Sequence, residues 1–235
     1  MSRAARLAIA LGLPTLLAAC STGELDRHAN LGLSPVGDFQ MRIESVEERK
    51  FATVVRQRFD FSCGSAALAT LLHYHYGAKT TEEDTFRGMW ADGDRDKIRK
   101  LGFSLLDMKR YLEGRGAKAN GFKVNVAQIE AARVPGIALL TLDGYRHFVV
   151  VKGITNGEVL IGDPSLGLRT MPADDFIKAW NGILFVLDSE LERGRKSFNA
   201  PDQWASYNRA PLGSRLVDPV SIQALSLTAP FYRDF

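Results

Sequence analysis

Apolar and polar positions divide the 235-residue chain into four stretches. Leu7 to Leu17 is mostly apolar, broken by Gly12 and Pro14. Residues 21–42 are polar, with scattered Gly and Pro and no sustained period. From about Val46 to Asp188, patterned segments follow one another densely. Residues 189–235 open with the charged run SELERGRKS and show little periodicity, although Phe231, Tyr232 and Phe235 are apolar.

Within the patterned region, Gly64 to Tyr76 reads as a buried helix that starts just after Cys63 and stops at Gly77. Thr81, followed by Glu82, Glu83 and Asp84, marks a helix start favoured by the helix dipole. Ser104-Leu105-Leu106-Asp107 resembles a capping box, with that helix ending near Gly114. Val126 to Arg133 is a short helix closed by Pro135. Strand signals then cover Ile137–Leu142, His147–Ile154, Val159–Gly162 and Ile183–Leu187. Pro172 suits the first turn of a helix running to Trp180. Helices first and an antiparallel sheet afterwards predict an α+β fold, and the length suits one domain of ordinary size with appendages. No internal repeat or low-complexity tract is evident.

Composition changes this picture at the N-terminus. Arg3 and Arg6 precede the apolar stretch, and Ala18 and Ala19 follow it, which is the layout of a secretory signal too short to span a bilayer stably. Leu17-Ala18-Ala19-Cys20 resembles the bacterial lipobox, which implies lipidation of Cys20 after cleavage. Several acyl chains together anchor a protein stably. Ser21 after the cysteine points to outer-membrane rather than inner-membrane retention. The expected organisation is a signal peptide over 1–19, a lipidated N-terminus and tether over 20–45, a catalytic domain over 46–188, and a partly ordered extension over 189–235. The chain would be a bacterial lipoprotein facing the periplasm.

The charge balance is 30 Lys and Arg against 27 Asp and Glu, and loss of the signal removes two of the cations. No basic cluster remains that argues for nucleic acid, so the expected membrane contact is by lipid alone. Two cysteines exclude a disulfide-rich scaffold and a four-cysteine zinc site.

The second cysteine carries the chemistry. In Gln57-Arg58-Phe59-Asp60-Phe61-Ser62-Cys63-Gly64, Cys63 stands at the first turn of a helix, where free N–H groups and the dipole favour thiolate over thiol. Its own N–H can donate to an oxyanion, and the amide of Gln57 is a second, non-titrating donor. Gly64 is expected to leave room for a substrate backbone. Cysteine at a helix start is also often a plain core residue. His147 begins one strand and Asp163 ends the next, after the hairpin signal Asn156-Gly157, so both fall at the open end of a hairpin. There the carboxylate can fix the tautomer of the imidazole and stabilise its cation beside a thiolate.

One geometric demand accompanies this reading. In a strict two-residue hairpin, Asp163 faces Val150, and His147 points to the opposite face of the sheet. A longer loop or a bulge shifts the register by one and returns both to one face. A loop of that kind is expected near Asn156–Glu158.

Taken together, Gln-x5-Cys-Gly, His-Phe-Val-Val and Asp-Pro-x-x-Gly resemble the papain-like bacteriocin-processing peptidases, which remove double-glycine leader peptides. The likeness spans roughly residues 50–188. It implies a papain-like fold, with N-terminal helices packed on an antiparallel sheet. It also implies Cys63 as nucleophile, His147 as general base and acid, Asp163 as orienting acid and Gln57 as oxyanion donor, with no cofactor and no metal. Members often carry an acidic residue just before the cysteine, where this chain has Ser62, and they commonly precede a transporter and work on the cytoplasmic side. A stand-alone exported form resembles family members that accompany secretion of functional amyloid. An exported peptide or protein substrate and a secretion apparatus are the partners this implies. The competing reading is a non-catalytic module that delivers a client peptide to an outer-membrane apparatus; acyl transfer by the same triad is a third.

Other signals carry less. His73-x-His75 faces two directions on a helix and does not suggest a metal site. The run Ala91-Asp92-Gly93-Asp94-Arg95-Asp96 lacks the glycine and glutamate of a calcium loop and is expected to be a solvated loop beside the cleft. Phe59, Trp90 and Tyr145 are candidates to line a peptide groove, with core packing as the alternative for each.

Overall fold

The capping signals become the helix starts. Thr81, Ser104 and Asn125 each accept a hydrogen bond from the third residue of their helix, whose side chain bonds back to the cap's N–H. The computed structural model describes residues 28–31, 39–42, 45–142, 144–205 and 207. The signal stretch, Cys20 and the chain beyond 207 lie outside these. In the N-terminal unit, β1 (His28–Leu31) and β2 (Phe39–Arg42) form an antiparallel pair where a featureless tether was expected.

The second unit begins with α1 (Val46–Phe51) and α2 (Cys63–Thr70), whose axis continues through one π-helical turn, Leu71–His75. Then come α3 (Glu82–Asp92), α4 (Arg95–Leu101), α5 (Leu105–Glu113), β3 (Ala119–Lys123) and α6 (Val126–Ala132). The remainder is β4 (Gly136–Leu142), β5 (Tyr145–Thr155), β6 (Glu158–Asp163), β7 (Gly167–Pro172), α7 (Ala173–Ala179), β8 (Trp180–Leu187), α8 (Leu191–Ser197) and α9 (Pro201–Ala205). The strands form one antiparallel sheet in the order β3-β8-β4-β5-β6-β7. The α+β expectation holds. The edge strands β3 and β7 and the helix α4 were not anticipated, because none has a clean apolar period. The acidic run expected as a loop beside the cleft is instead the start of α4, where Asp94 accepts from the Lys97 N–H as N-cap.

Every residue of α2 is buried, which explains why its sequence shows no polar stripe. It packs with α3 and α5 against one sheet face, where Leu139, Phe148 and Val150 join Leu68, Leu71 and Met108. The other face carries Val149, Val151, Ile154, Val159 and Ile161 under Phe176 and Trp180. Along β5 this second set changes from odd to even numbers between Val151 and Ile154. That change is the mark of a bulge.

The bulge corrects the expected loop. The β5–β6 turn is a strict two-residue one, with Asn156 and Gly157 both at positive φ and Thr155 paired with Glu158. The slip comes further along, at Lys152, so that Gly153 faces Leu160 but Val151 faces Ile161. His147 and Asp163 thereby share a face, as the triad requires.

The Lys152 side chain is 1% exposed. Its ammonium donates to the Thr53 carbonyl at 2.7 Å and lies 5.3 Å from the Tyr74 ring centroid. Burial pushes its pKa down to about 7, partly offset by Asp202. The Lys152 carbonyl accepts from the Asn199 N–H at 3.0 Å, and Asn199 Nδ2 donates to the Ile154 carbonyl. Phe198 and Trp204 are also buried. The packed body therefore continues well past Asp188, because the bulge takes its missing hydrogen-bond partner from that segment.

Among the described residues no helix is long and apolar enough to cross a membrane. Replacement of Lys152 by Ala is expected to cost about 1–3 kcal/mol, from the cavity and the lost donor net of the buried charge. Urea unfolding of the Lys152→Ala protein measures it; an unchanged midpoint would show that the buried lysine supports nothing.

Candidate active site

The site forms where the start of α2 meets the open ends of β5 and β6. Asp163 lies at the end of β6 and is 1% exposed. Its Oδ1 accepts from His147 Nε2 at 2.7 Å and from the N–H groups of Ser165 and Leu166 at 2.9 and 3.2 Å. Its Oδ2 accepts from Arg169 Nε at 3.1 Å. Burial opposes the carboxylate charge, but the hydrogen bond and charge of His147, the Ser165 N–H and Arg169 outweigh it and hold the carboxyl below its ordinary range. An ionised carboxylate can only accept, so Nε2 of His147 carries the proton that it donates.

That leaves Nδ1 of His147 as the atom available to the thiol. It is buried and makes no full hydrogen bond in the resting site, yet Cys63 is close enough to perturb the ring. Burial disfavours the imidazolium; the hydrogen bond to Asp163, the neighbouring Cys63 sulfur and the charges of both outweigh it and raise the pKa to about 9. The Tyr145 ring stacks on His147 at 6.0 Å, and its hydroxyl donates to the Asp60 carbonyl at 2.9 Å. One tyrosine thus joins the β4–β5 turn to the loop before Cys63.

That loop is braced from behind by residues that sequence reasoning missed. Glu82 of α3 is buried, and its Oε1 accepts from the Ser62 hydroxyl and the Arg58 N–H. Ser62 is fully buried, and its hydroxyl, whose single proton goes to Glu82, also accepts from the Phe59 N–H. A carboxylate from twenty residues downstream therefore reaches Ser62, the residue just before Cys63. The Gln57 N–H donates to the Pro164 carbonyl at 3.0 Å, so the loop is pinned beside Asp163 as well. One N–H of the Gln57 side chain donates to the Phe59 carbonyl at 3.2 Å, and its Oε1 is buried without a partner.

The remaining candidates separate. Tyr145 lines an open cleft of about 470 Å³ beside Cys63, together with Phe61, Phe103, Leu139 and Phe148. Phe59 stacks on Phe61 at the surface, and Trp90 stacks on Phe86; neither lines that cleft. Gly64 turns inward. A Cβ there would lie 3.0–3.4 Å from Met108, Phe103 and Phe148, so close helix packing, and not substrate access, accounts for the glycine. His75 is buried with Nδ1 2.7 Å from the Ser197 hydroxyl, whereas His73 is exposed, so the two do not converge. Among the described residues no cluster of His, Cys, Asp or Glu could hold a metal ion.

The carboxylate stabilises the imidazolium, so its removal lowers the imidazole pKa. In Asp163→Asn the His147 ring, followed by NMR with carbon-13-labelled histidine, should titrate at least about one pH unit below the wild-type value. An unmoved titration would exclude the coupling.

Comparisons with known proteins extend the geometry. The sequence profile described as the peptidase C39 family matches residues 52–192. The protein named "Probable functional amyloid protease FapD" of Pseudomonas aeruginosa is 42% identical over 169 residues, covering 72% of this chain and 75% of that one. Its namesake in Pseudomonas fluorescens is 44% identical over 149 residues, covering 63% and 66%. The lactococcin-G-processing and transport ATP-binding protein LagD of Lactococcus lactis is 29% identical over 59% of this chain, but only 19% of its own length is spanned. In fold, the chain is similar to the peptidase domain of Streptococcus ComA, with a TM-score of 0.50 and 22% identity over 57% of this chain and 96% of that domain. The chain belongs to the peptidase C39 family and is a cysteine-type peptidase of papain-like fold.

Proposed function

We propose that the protein is an exported, lipid-anchored peptidase that cuts a secreted protein at a double-glycine-type or other small-residue site. The observation that carries the catalytic part is the buried His147–Asp163 hydrogen bond, which leaves Nδ1 of the ring facing the start of α2, where Cys63 stands.

In this reading the Cys63 thiol passes its proton to Nδ1, and the thiolate attacks the peptide carbonyl. The oxyanion is held by the Cys63 N–H and the free N–H of the Gln57 amide. The imidazolium then protonates the leaving amine, and water attacks the thioester through the same ring, regenerating thiol and releasing the acid. Asp163 keeps Nε2 protonated throughout and stabilises the cation formed at each step. A His147 pKa near 9 favours the imidazolium at neutral pH, and the activity should fall as that cation is lost above it.

The substrate side of the proposal draws on the relatives. One is named as a functional amyloid protease, and another for processing and transport of lactococcin G. The lipid anchor draws on the lipobox-like Leu17–Cys20.

Two experiments test these parts separately. Cys63→Ala is expected to abolish processing of the exported substrate, read by mass spectrometry of its mature N-terminus, while thermal unfolding stays near wild type. Unchanged processing would refute the peptidase mechanism, and slow Cys63 alkylation insensitive to His147→Ala would favour a peptide-carrying module. For the anchor, radiolabelled palmitate should enter the wild-type protein and not Cys20→Ser, which should leave the membrane fraction; labelling of both would refute it.

A further inference from the structure

The cleft beside Cys63 has an uneven charge. Its floor is apolar, built from Phe61, Phe103, Leu139 and Phe148. Its lining also includes Arg99 and Lys100 from the last turn of α4 and Arg146 from the start of β5. Among the described lining residues the single carboxylate is Asp60. The chain as a whole is close to neutral, so this excess is local and not a reflection of a basic protein.

These cations are also available. The Arg99 guanidinium lies over the Trp90 ring at 5.4 Å and is 3.9 Å from Asp96, a long contact with an exposed partner that neutralises little. Lys100 and Arg146 meet no carboxylate among the described residues. Positive groups from two separate elements lining one partly apolar cleft focus the field into it, where it acts on a bound peptide more strongly than at an open surface.

We propose that this cleft is a cationic subsite that selects substrates with Asp or Glu close to the scissile bond. The proposal rests on the peptidase reading of Cys63 and names the chemistry of the segment its cleft accepts. An acidic segment lying along the apolar floor places carboxylates within reach of Arg99 or Lys100 from one element and Arg146 from the other. Arginine can take a carboxylate in two parallel hydrogen bonds, which adds register to attraction. A basic or neutral segment would leave the three cations unpaired, so discrimination acts against as well as for.

The test uses two probes of Cys63 that differ in charge, iodoacetate and iodoacetamide, and reads the ratio of their alkylation rates. His147 contributes equally in every protein compared, so the change in the ratio reports the cleft. In Arg146→Gln, and in the double variant Arg99→Gln/Lys100→Gln, the ratio should fall about three- to tenfold from wild type. In the wild-type protein it should fall likewise between about 50 mM and about 500 mM sodium chloride. Two peptides with the same Gly-Gly site, flanked by Glu in one and Gln in the other, should differ about tenfold in kcat/KM, and Arg146→Gln should erase most of the difference. A ratio unmoved by the substitutions and by salt, or equal turnover of both peptides, overturns the subsite while leaving the peptidase intact. Should neither peptide be cut and alkylation prove insensitive to His147→Ala, the peptidase reading fails, and the alkylation ratio alone still decides whether the cleft selects anions.

Discussion

Sheet parity governs this site. Side chains on a strand alternate faces, so a strict register about the Asn156–Gly157 turn would place His147 and Asp163 on opposite sides of the sheet. The one-residue slip at Lys152 reverses that parity between the turn and the strand ends. A bulge has a cost, since its backbone groups lose their ladder partners. The cost is met locally, because the Lys152 carbonyl accepts from Asn199 and the Ile154 carbonyl from the Asn199 side chain. The segment after Asp188 is accordingly part of the catalytic scaffold, although it contributes no residue to the candidate triad.

The second support acts on the loop that leads to Cys63. Five residues separate Gln57 from Cys63, and a free loop of that length could not hold a thiol and an amide to tenths of an ångström. Three anchors remove the freedom. Pro164 accepts from Gln57, Glu82 accepts from Arg58 and Ser62, and Tyr145 donates to the Asp60 carbonyl. Each anchor comes from a different place, so the loop is fixed from the β6–β7 turn, from α3 and from the start of β5. Catalytic preorganisation here is a property of how these layers pack.

What the sequence disclosed follows from the range of the interactions involved. Helix starts at Thr81, Ser104 and Asn125 were legible or nearly so, because capping is decided within four residues. The buried core strands β4, β5, β6 and β8 were legible from continuous apolar runs. The edge strands were not, since ANGFK and GLRTMP owe their shape to pairing partners far along the chain. The same limit applies within the site. Cys63, His147 and Asp163 stand out by residue type and position on their elements, and the need for a register shift could be stated beforehand. Where the shift falls depended on a tertiary contact to Asn199, and the Glu82 brace depends on α3 packing against α2. The placement of Gly64 and Trp90 in close packing has the complementary cause. Each suits a cleft by type, but close packing against Met108 and Phe103 claims the first and stacking on Phe86 the second.

A buried lysine at the bulge needs its own physical reason, since an apolar residue of similar length would avoid the desolvation that lowers its pKa to about 7. The reason lies at the far end of the side chain. The Lys152 stem runs against Gly162, where a Cβ would come within 3.0 Å of it, and so fills the space that the missing side chain leaves beside Asp163. The amine then reaches across to the Thr53 carbonyl, four residues before Gln57. A hydrocarbon could fill the first position but could not satisfy the second. Either protonation state of the amine can donate that bond, so the contact survives at a pH where the charge is only partly present. The residue that shifts the register of His147 and Asp163 thus also ties down the segment leading to Gln57. Both halves of the candidate machinery, the proton-handling pair and the oxyanion loop, are referred to the same point in the sheet.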